Sequence, residues 1–178
     1  LKTVGWADGG LVVGSIVVGG IVGSLTKEKV SEQTANAGID YGQALMYLSQ
    51  EQFRIVEAAS ERIFPKDENG PGAKDLGVAF FIDHQLAGAW GNNAREYMQP
   101  PFYPGEPTQG YQGPLRNHQI FDAGIQGLQD YSMKTYNKSF TELSGEEQDA
   151  VLEAFEKGQV PLKGVSSAYF FSLLRLLT

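Results

Sequence analysis

The chain has 178 residues, among them 22 Gly, 8 Pro and no Cys, and its formal net charge is −7. This length suits one domain with an appendage. The absence of Cys excludes a disulfide framework, a Cys-ligated zinc site, an iron–sulfur cluster, a C-x-x-C-H haem attachment and a thiol nucleophile. An acidic chain without a cluster of Lys or Arg is also a poor binder of nucleic acid, so no nucleic-acid partner is expected.

Residues 6–25 form an apolar stretch in which Asp8 is the one charged side chain. At about 1.5 Å per residue, a helix of this length spans roughly 30 Å, the thickness of a bilayer hydrocarbon core. The stretch therefore predicts a transmembrane helix in contact with lipid. Small residues spaced four apart favour packing against a neighbouring helix, and the alternative is a glycine-rich signal core that contacts lipid alone. The small residues are Gly10, Gly14, Ser15, Gly19 and Gly23.

Residues 1–26 are expected to act as an uncleaved signal anchor, because no small-x-small pair follows the apolar run at once. Lys27 and Lys29 on its C-terminal side, against Lys2 on the other, would place the domain in the cytoplasm. The N-terminal residues 1–5, LKTVG, however, resemble the tail of a twin-arginine export signal. An arginine pair further upstream would reverse the charge balance. We therefore expect a single-pass protein of the cell membrane with its domain on the outer face.

The rest of the chain divides into a polar linker, residues 27–44, and a helical domain, residues 45–178. The first helix of the domain is predicted to begin at Ser49, because Ser49 and Gln52 have the spacing of a capping box. Pro65 is expected to end this helix, since proline cannot continue the hydrogen-bond ladder.

Four more helices are predicted along the domain. The second covers residues 73–87, and the third covers residues 117–136. The fourth begins at a capping box opened by Ser144 and ends at Gly158. The last covers residues 166–177 and is apolar on nearly all sides. No strand-type alternation occurs, so the fold class is predicted to be all-α. The side chains of the second helix that are expected to face inward are Val78, Phe81, Ile82 and Leu86.

A proline-rich loop, residues 99–114, interrupts the helical pattern and carries several aromatic residues. Proline removes backbone donors and restricts φ, so we expect an ordered loop or one braced by a partner. Aromatic side chains carry much of the energy of protein interfaces, which makes the loop and the last helix candidates for docking. The alternative, given equal weight for the loop, is that its rings cap the core of the domain itself. The candidate interface residues are Phe102, Tyr103, Tyr111, Tyr169, Phe170 and Phe171.

No catalytic, cofactor-binding or metal-binding residue stands out. The oxygen-rich stretch from Asp67 to Gly70 lacks the ligand spacing of a calcium loop and is interpreted as a turn. Asp83 and His84 are adjacent on a helix and do not face each other, which favours a structural or interface role for the histidine. His84 and His118 could supply haem ligands, but their spacing does not indicate such a pair. If one of these histidines acts chemically, the chain would be a stand-alone membrane oxidoreductase. A membrane-anchored binding module is the other function that these residues leave open.

Several ordered blocks resemble the gluconate 2-dehydrogenase subunit 3 family, and together they cover about residues 45–175. These blocks are IFPKD at 63–67, GPGA at 70–73, GV at 77–78, FID at 81–83 with Leu86, QGY at 109–111, FTELS at 140–144, EQDAVL at 147–152 and FFSLL at 170–174.

This resemblance implies a small, mainly helical and non-catalytic subunit of a membrane-associated dehydrogenase of sugars or sugar acids. The implied partner is a large flavoprotein of the glucose–methanol–choline oxidoreductase type, which holds FAD and performs the oxidation. Some complexes add a cytochrome c with c-type haem as electron acceptor. The resemblance also implies that the export signal of the small subunit carries the folded flavoprotein across the membrane, and that this chain binds no cofactor of its own.

Overall fold

Five α-helices make up the regular structure of the part of the chain that the computed structural model describes, residues 44–103 and 105–178. Two short 3-10 turns, Pro107–Gln109 and Phe140–Glu142, lie between them. No strand is found within these ranges, which confirms the all-α prediction for the domain. The helices are α1 (Gln50–Ile63), α2 (Val78–Ala87), α3 (Asn117–Tyr136), α4 (Gly145–Glu156) and α5 (Ser167–Leu177).

The predicted signal anchor, residues 1–26, lies outside the described residues. The packing surface of Gly10, Gly14, Ser15, Gly19 and Gly23 lies outside them too and stays a prediction. Among the helices that are described, none combines the length and the apolarity that crossing a membrane would require.

Two helices begin at the capping boxes that the sequence predicts. The Ser49 hydroxyl accepts a hydrogen bond from the Gln52 amide at 3.2 Å, and the Gln52 side chain accepts one from the Ser49 amide at 2.9 Å. At the start of α4, Ser144 and Glu147 make the same pair of bonds, at 3.3 and 2.8 Å. Each box pairs two backbone N–H donors that a helix start would otherwise leave to solvent.

Helix α2 begins five residues later than predicted, because Gly77 adopts φ 70° and ψ 28°. This left-handed conformation suits glycine and interrupts a right-handed helix, so residues 73–77 form turns instead. The prediction that Phe81 faces inward was wrong, since 49% of its surface is exposed. Its neighbour Ile82 is fully buried as predicted, and Phe80 packs on Phe53 with 4.5 Å between ring centroids. Successive helical positions point about 100° apart, and because α2 buries both Ile82 and Asp83, the Phe81 side chain is turned toward solvent.

The core lies where α3, α4 and α5 meet, and aromatic rings fill it. Phe121 of α3 and Phe155 of α4 both contact Phe170 of α5 edge to face, with ring centroids 5.4 and 5.9 Å apart. Gly124 allows the close approach of α3 to α5, because a Cβ atom at this position would overlap the Phe170 ring. Such tight packing fixes the orientation of α5. The orientation of α5 in turn places Tyr169 at the surface described below.

Candidate functional site

The main surface feature of the described residues that bears on function is an open groove of about 580 Å³ between the proline-rich loop and α5. We call it the aromatic groove. Four of its lining residues carry aromatic rings: Phe102, Tyr103 and Tyr111 from the loop, and Tyr169 from α5. The structure thus brings together four of the six residues that the sequence proposes for an interface.

Tyr111 attaches the loop to the rest of the domain. Its ring stacks on Tyr169, with centroids 5.0 Å apart and an interplanar angle of 18°. Its hydroxyl donates a hydrogen bond to the Gly164 carbonyl at 3.3 Å and accepts one from the Leu115 amide at 3.2 Å. Gly113 lies against the same hydroxyl, and a Cβ atom there would collide with it. These contacts hold the C-terminal half of the loop in one conformation.

Phe102 and Tyr103 lie on the outer side of the groove. Phe102 is half-buried, whereas 72% of the Tyr103 surface is exposed to solvent. Tyr97, in the loop that follows α2, is exposed to 85%. Large apolar rings that stay accessible on an otherwise packed domain are a feature of interaction surfaces.

Tyr169 keeps its phenol protonated at neutral pH. Burial raises the pKa of Tyr169 above its usual value of 10.0, and the negative charge of Glu96 and the neighbouring Tyr111 raise it further. The groove therefore offers neutral ring faces, with a carboxylate close to one of them.

Phe170 and Phe171 do not reach the groove, because they belong to the core of the domain. Their exposed fractions are 1% and 9%. Helix α5 is apolar on nearly all sides, as the sequence indicates, but α3 and α4 cover most of it, and Leu176 stays exposed to 72%. Phe170 and Phe171 therefore offer almost no surface to a partner. We restrict the candidate interface to the four aromatic residues of the groove.

The two histidines are held by backbone carbonyls. Nε2 of His84 lies 2.9 Å from the Ala44 oxygen, and Nδ1 of His118 lies 2.8 Å from the Gly91 oxygen. Each ring thus uses one nitrogen to donate a hydrogen bond to a backbone carbonyl of another segment. Across the described residues no group of three or more His, Asp and Glu side chains is arranged to hold a metal ion.

A buried carboxylate that the sequence analysis did not assign fastens the chain ahead of α1. Asp83 is fully buried and accepts hydrogen bonds from the amides of Met46, Tyr47 and Leu48, at 2.6, 3.0 and 2.7 Å. The sequence feature that could have indicated this site is an aspartate directly after the apolar residues Phe80, Phe81 and Ile82. A charged side chain in such a position must find hydrogen-bond partners when it is buried. We call this arrangement the Asp83 clamp.

A second contact reinforces the Asp83 clamp. The Tyr47 hydroxyl donates a 2.6 Å hydrogen bond to Asp122 of α3, and the Tyr47 ring lies against His118 with 5.7 Å between centroids. The pKa of Tyr47 is strongly raised, first by burial and then by the Asp122 carboxylate. The segment entering the domain is therefore attached to both α2 and α3.

Comparison with known proteins supports a single assignment. The family described as Gluconate 2-dehydrogenase subunit 3 matches residues 50–178, which include all five helices and the aromatic groove. Comparisons with curated proteins and with solved structures gave no match. The match covers more than half of the chain. The chain therefore belongs to the gluconate 2-dehydrogenase subunit 3 family.

Proposed function

We propose that this chain is the non-catalytic small subunit of a membrane-bound dehydrogenase, and that its catalytic partner is a flavoprotein of the glucose–methanol–choline oxidoreductase type. The partner holds FAD and oxidises a sugar, a polyol or an aldonate such as gluconate. Membership of the family supports a role in a dehydrogenase complex. The observation that carries the proposal is the aromatic groove, whose loop is attached to the domain by Tyr111 and exposes Tyr103.

Two properties of the aromatic groove favour docking: the contact area of its rings and the order of its loop. Aromatic side chains bring large contact area with few rotatable bonds, so they gain more on binding than flexible polar side chains do. A loop whose conformation is already held by stacking and hydrogen bonds loses little entropy when a partner covers it. Tyr103 supplies the accessible area, with the half-buried Phe102 beside it, and Tyr111 supplies the order in the C-terminal half of the same loop.

The N-terminal sequence supports the role that we propose for the rest of the chain. Residues 6–25 would anchor the complex in the cell membrane, and an export signal would place the domain and the flavoprotein on the outer face. We assign FAD to the flavoprotein, and c-type haem to a cytochrome c that accepts the electrons in some complexes. On this proposal the small subunit contributes export, anchoring and stabilisation of the FAD subunit.

Co-purification tests the proposal. The full chain, tagged and extracted from native membranes with a mild detergent, is expected to bring with it a flavoprotein that shows flavin absorption and dye-linked oxidation of a sugar or aldonate. The chain separated from that partner is expected to show neither. A bound chromophore together with turnover by the separated chain would instead support a stand-alone oxidoreductase.

The double substitution of Phe102 and Tyr103 by Ala tests the docking site. It is expected to release the flavoprotein while the helical signal in far-UV circular dichroism stays unchanged, because neither ring belongs to the buried core. The matched control substitutes Met133 and Leu176 by Ala, two apolar side chains that are exposed elsewhere on the domain, and is expected to keep the flavoprotein. A double variant that unfolds, or that binds its partner as before, would show that the loop does not form the interface.

A further inference from the structure

We propose that the aromatic groove receives an arginine-bearing segment of the dehydrogenase subunit, with the guanidinium group placed over the tyrosine rings. This inference rests on the proposed function and specifies the chemistry of the partner at the same site. It also makes the interface charge-dependent, which simple apolar docking would not be.

The lining of the groove is rich in tyrosine rings. Tyr111 and Tyr169 stack nearly parallel, which leaves one face of each ring outside the stack, and both line the groove together with the exposed ring of Tyr103. The face of an aromatic ring carries partial negative charge and attracts cations. Among cationic side chains, the planar guanidinium of arginine stacks best on such faces and is the less strongly hydrated.

The charges around the groove are complementary to a cation. Among the described residues, no Lys or Arg lines the aromatic groove; Arg116 and Lys163, which follow Pro114 and precede Ser166 by two and three positions, are not among its lining residues. Two exposed carboxylates lie beside it instead. Glu96 lies close enough to Tyr169 to raise the pKa of that phenol, and Glu106 directly follows the lining residue Gly105. The chain as a whole carries a formal charge of −7, so a cationic segment would also be attracted over distance.

The groove is open and has room for a side chain of the partner. Its volume of about 580 Å³ exceeds that of one arginine side chain and leaves room for the backbone on either side. An uncharged apolar helix or a proline-rich segment could also cover aromatic rings, but neither would be drawn by Glu96 and Glu106. These occupants are therefore distinguished by how binding responds to charge.

The test compares two substitutions of Tyr103 in the full chain co-expressed with the dehydrogenase subunit. Tyr103→Phe keeps the ring face, whereas Tyr103→Leu keeps apolar area but removes the face. We expect the Phe variant to bind within about twofold of the wild type and the Leu variant about tenfold more weakly, as for the loss of one desolvated cation–π contact. Equal binding by the Leu and Phe variants would overturn the inference.

Neutralising the carboxylates supplies the second readout. Glu96→Gln combined with Glu106→Gln is expected to slow association several-fold and to flatten its dependence on salt. Glu153→Gln serves as the matched control, because Glu153 pairs with Lys157 on the exposed side of α4. Unchanged salt dependence in the double variant would show that the occupant is not cationic, even if Tyr103→Leu binds weakly.

A chemical footprint identifies the cation. At least one arginine of the dehydrogenase subunit is expected to resist phenylglyoxal in the wild-type complex and to react in the complex with Tyr103→Leu. If the complex forms but no arginine is protected, the inference fails while the proposed function stands. If the wild-type chain captures no dehydrogenase subunit at all, the proposed function itself fails.

Discussion

At the scale of single residues, Asp83 has the largest predicted effect on stability. Its two carboxylate oxygens accept three backbone hydrogen bonds at a position where the side chain is fully buried. In Asp83→Asn, one oxygen can still accept, but the new amide group must face another N–H donor, and the charge assistance is lost. We expect a loss of about 2–3 kcal/mol in the free energy of unfolding, measured by urea denaturation followed by circular dichroism.

The matched control for the Asp83 clamp is Asp75→Asn. Asp75 pairs with Lys66 at the surface, where solvent screens the interaction, so the denaturation midpoint is expected to stay nearly unchanged. Equal midpoints for the two variants would contradict the view that the Asp83 clamp stabilises the domain.

At the scale of elements, a bidentate ion pair joins the end of α1 to the start of α4. Nε and Nη2 of Arg62 donate to the two oxygens of Asp149 at 2.7 and 2.6 Å. The pair is partly exposed, so after solvent screening we expect it to contribute at most about 1 kcal/mol to stability.

The pair predicts how stability changes with pH. Hydrogen bonding to Arg62 lowers the pKa of Asp149 below its ordinary value of 3.8, so the folded state holds this proton less tightly than the unfolded state does. The contribution is therefore complete above that value and disappears as the pH falls through the lower folded value. Thermal melts of wild type and Asp149→Asn are expected to differ at neutral pH and to converge in strong acid. A gap that persists in acid would argue against the ion pair as its cause.

The sequence predicts an element well when the residues that determine it lie close together along the chain. Helices α1 and α4 follow from capping boxes at Ser49 and Ser144, where every interacting group lies within three residues. The start of α2 was missed because Gly77 can enter either a helix or a left-handed turn, and the sequence pattern does not decide between them.

The candidate site, too, can be predicted from the sequence only where neighbouring residues determine it. The composition of the loop singles out Phe102, Tyr103 and Tyr111, because proline and aromatic residues are recognisable one by one. That Phe170 belongs to the core while its neighbour Tyr169 lines the groove depends on Gly124, far away along the chain. The Asp83 clamp likewise joins residues 35 to 37 positions apart, and no local pattern reports such a pairing.

At the scale of the whole molecule, the attachment of the loop and the capacity to bind a partner are expected to be coupled. Tyr111→Phe keeps the stack on Tyr169 but removes the hydroxyl that joins the Leu115 amide to the Gly164 carbonyl. The domain is expected to lose about 1 kcal/mol of stability, the size of a net hydrogen-bond contribution. Hydrogen exchange at the Leu115 amide is expected to accelerate, because its acceptor is gone.

The same variant is expected to bind the dehydrogenase subunit several-fold more weakly, although Phe102 and Tyr103 are unchanged. A loop that is less ordered before binding must lose more conformational entropy when the partner covers it, and that cost reduces affinity. Tyr136→Phe, which removes a hydroxyl at the C-terminal end of α3, is the matched control and is expected to change neither exchange at Leu115 nor binding. Faster exchange at Leu115 with unchanged affinity would separate the two properties and show that docking does not require an ordered loop.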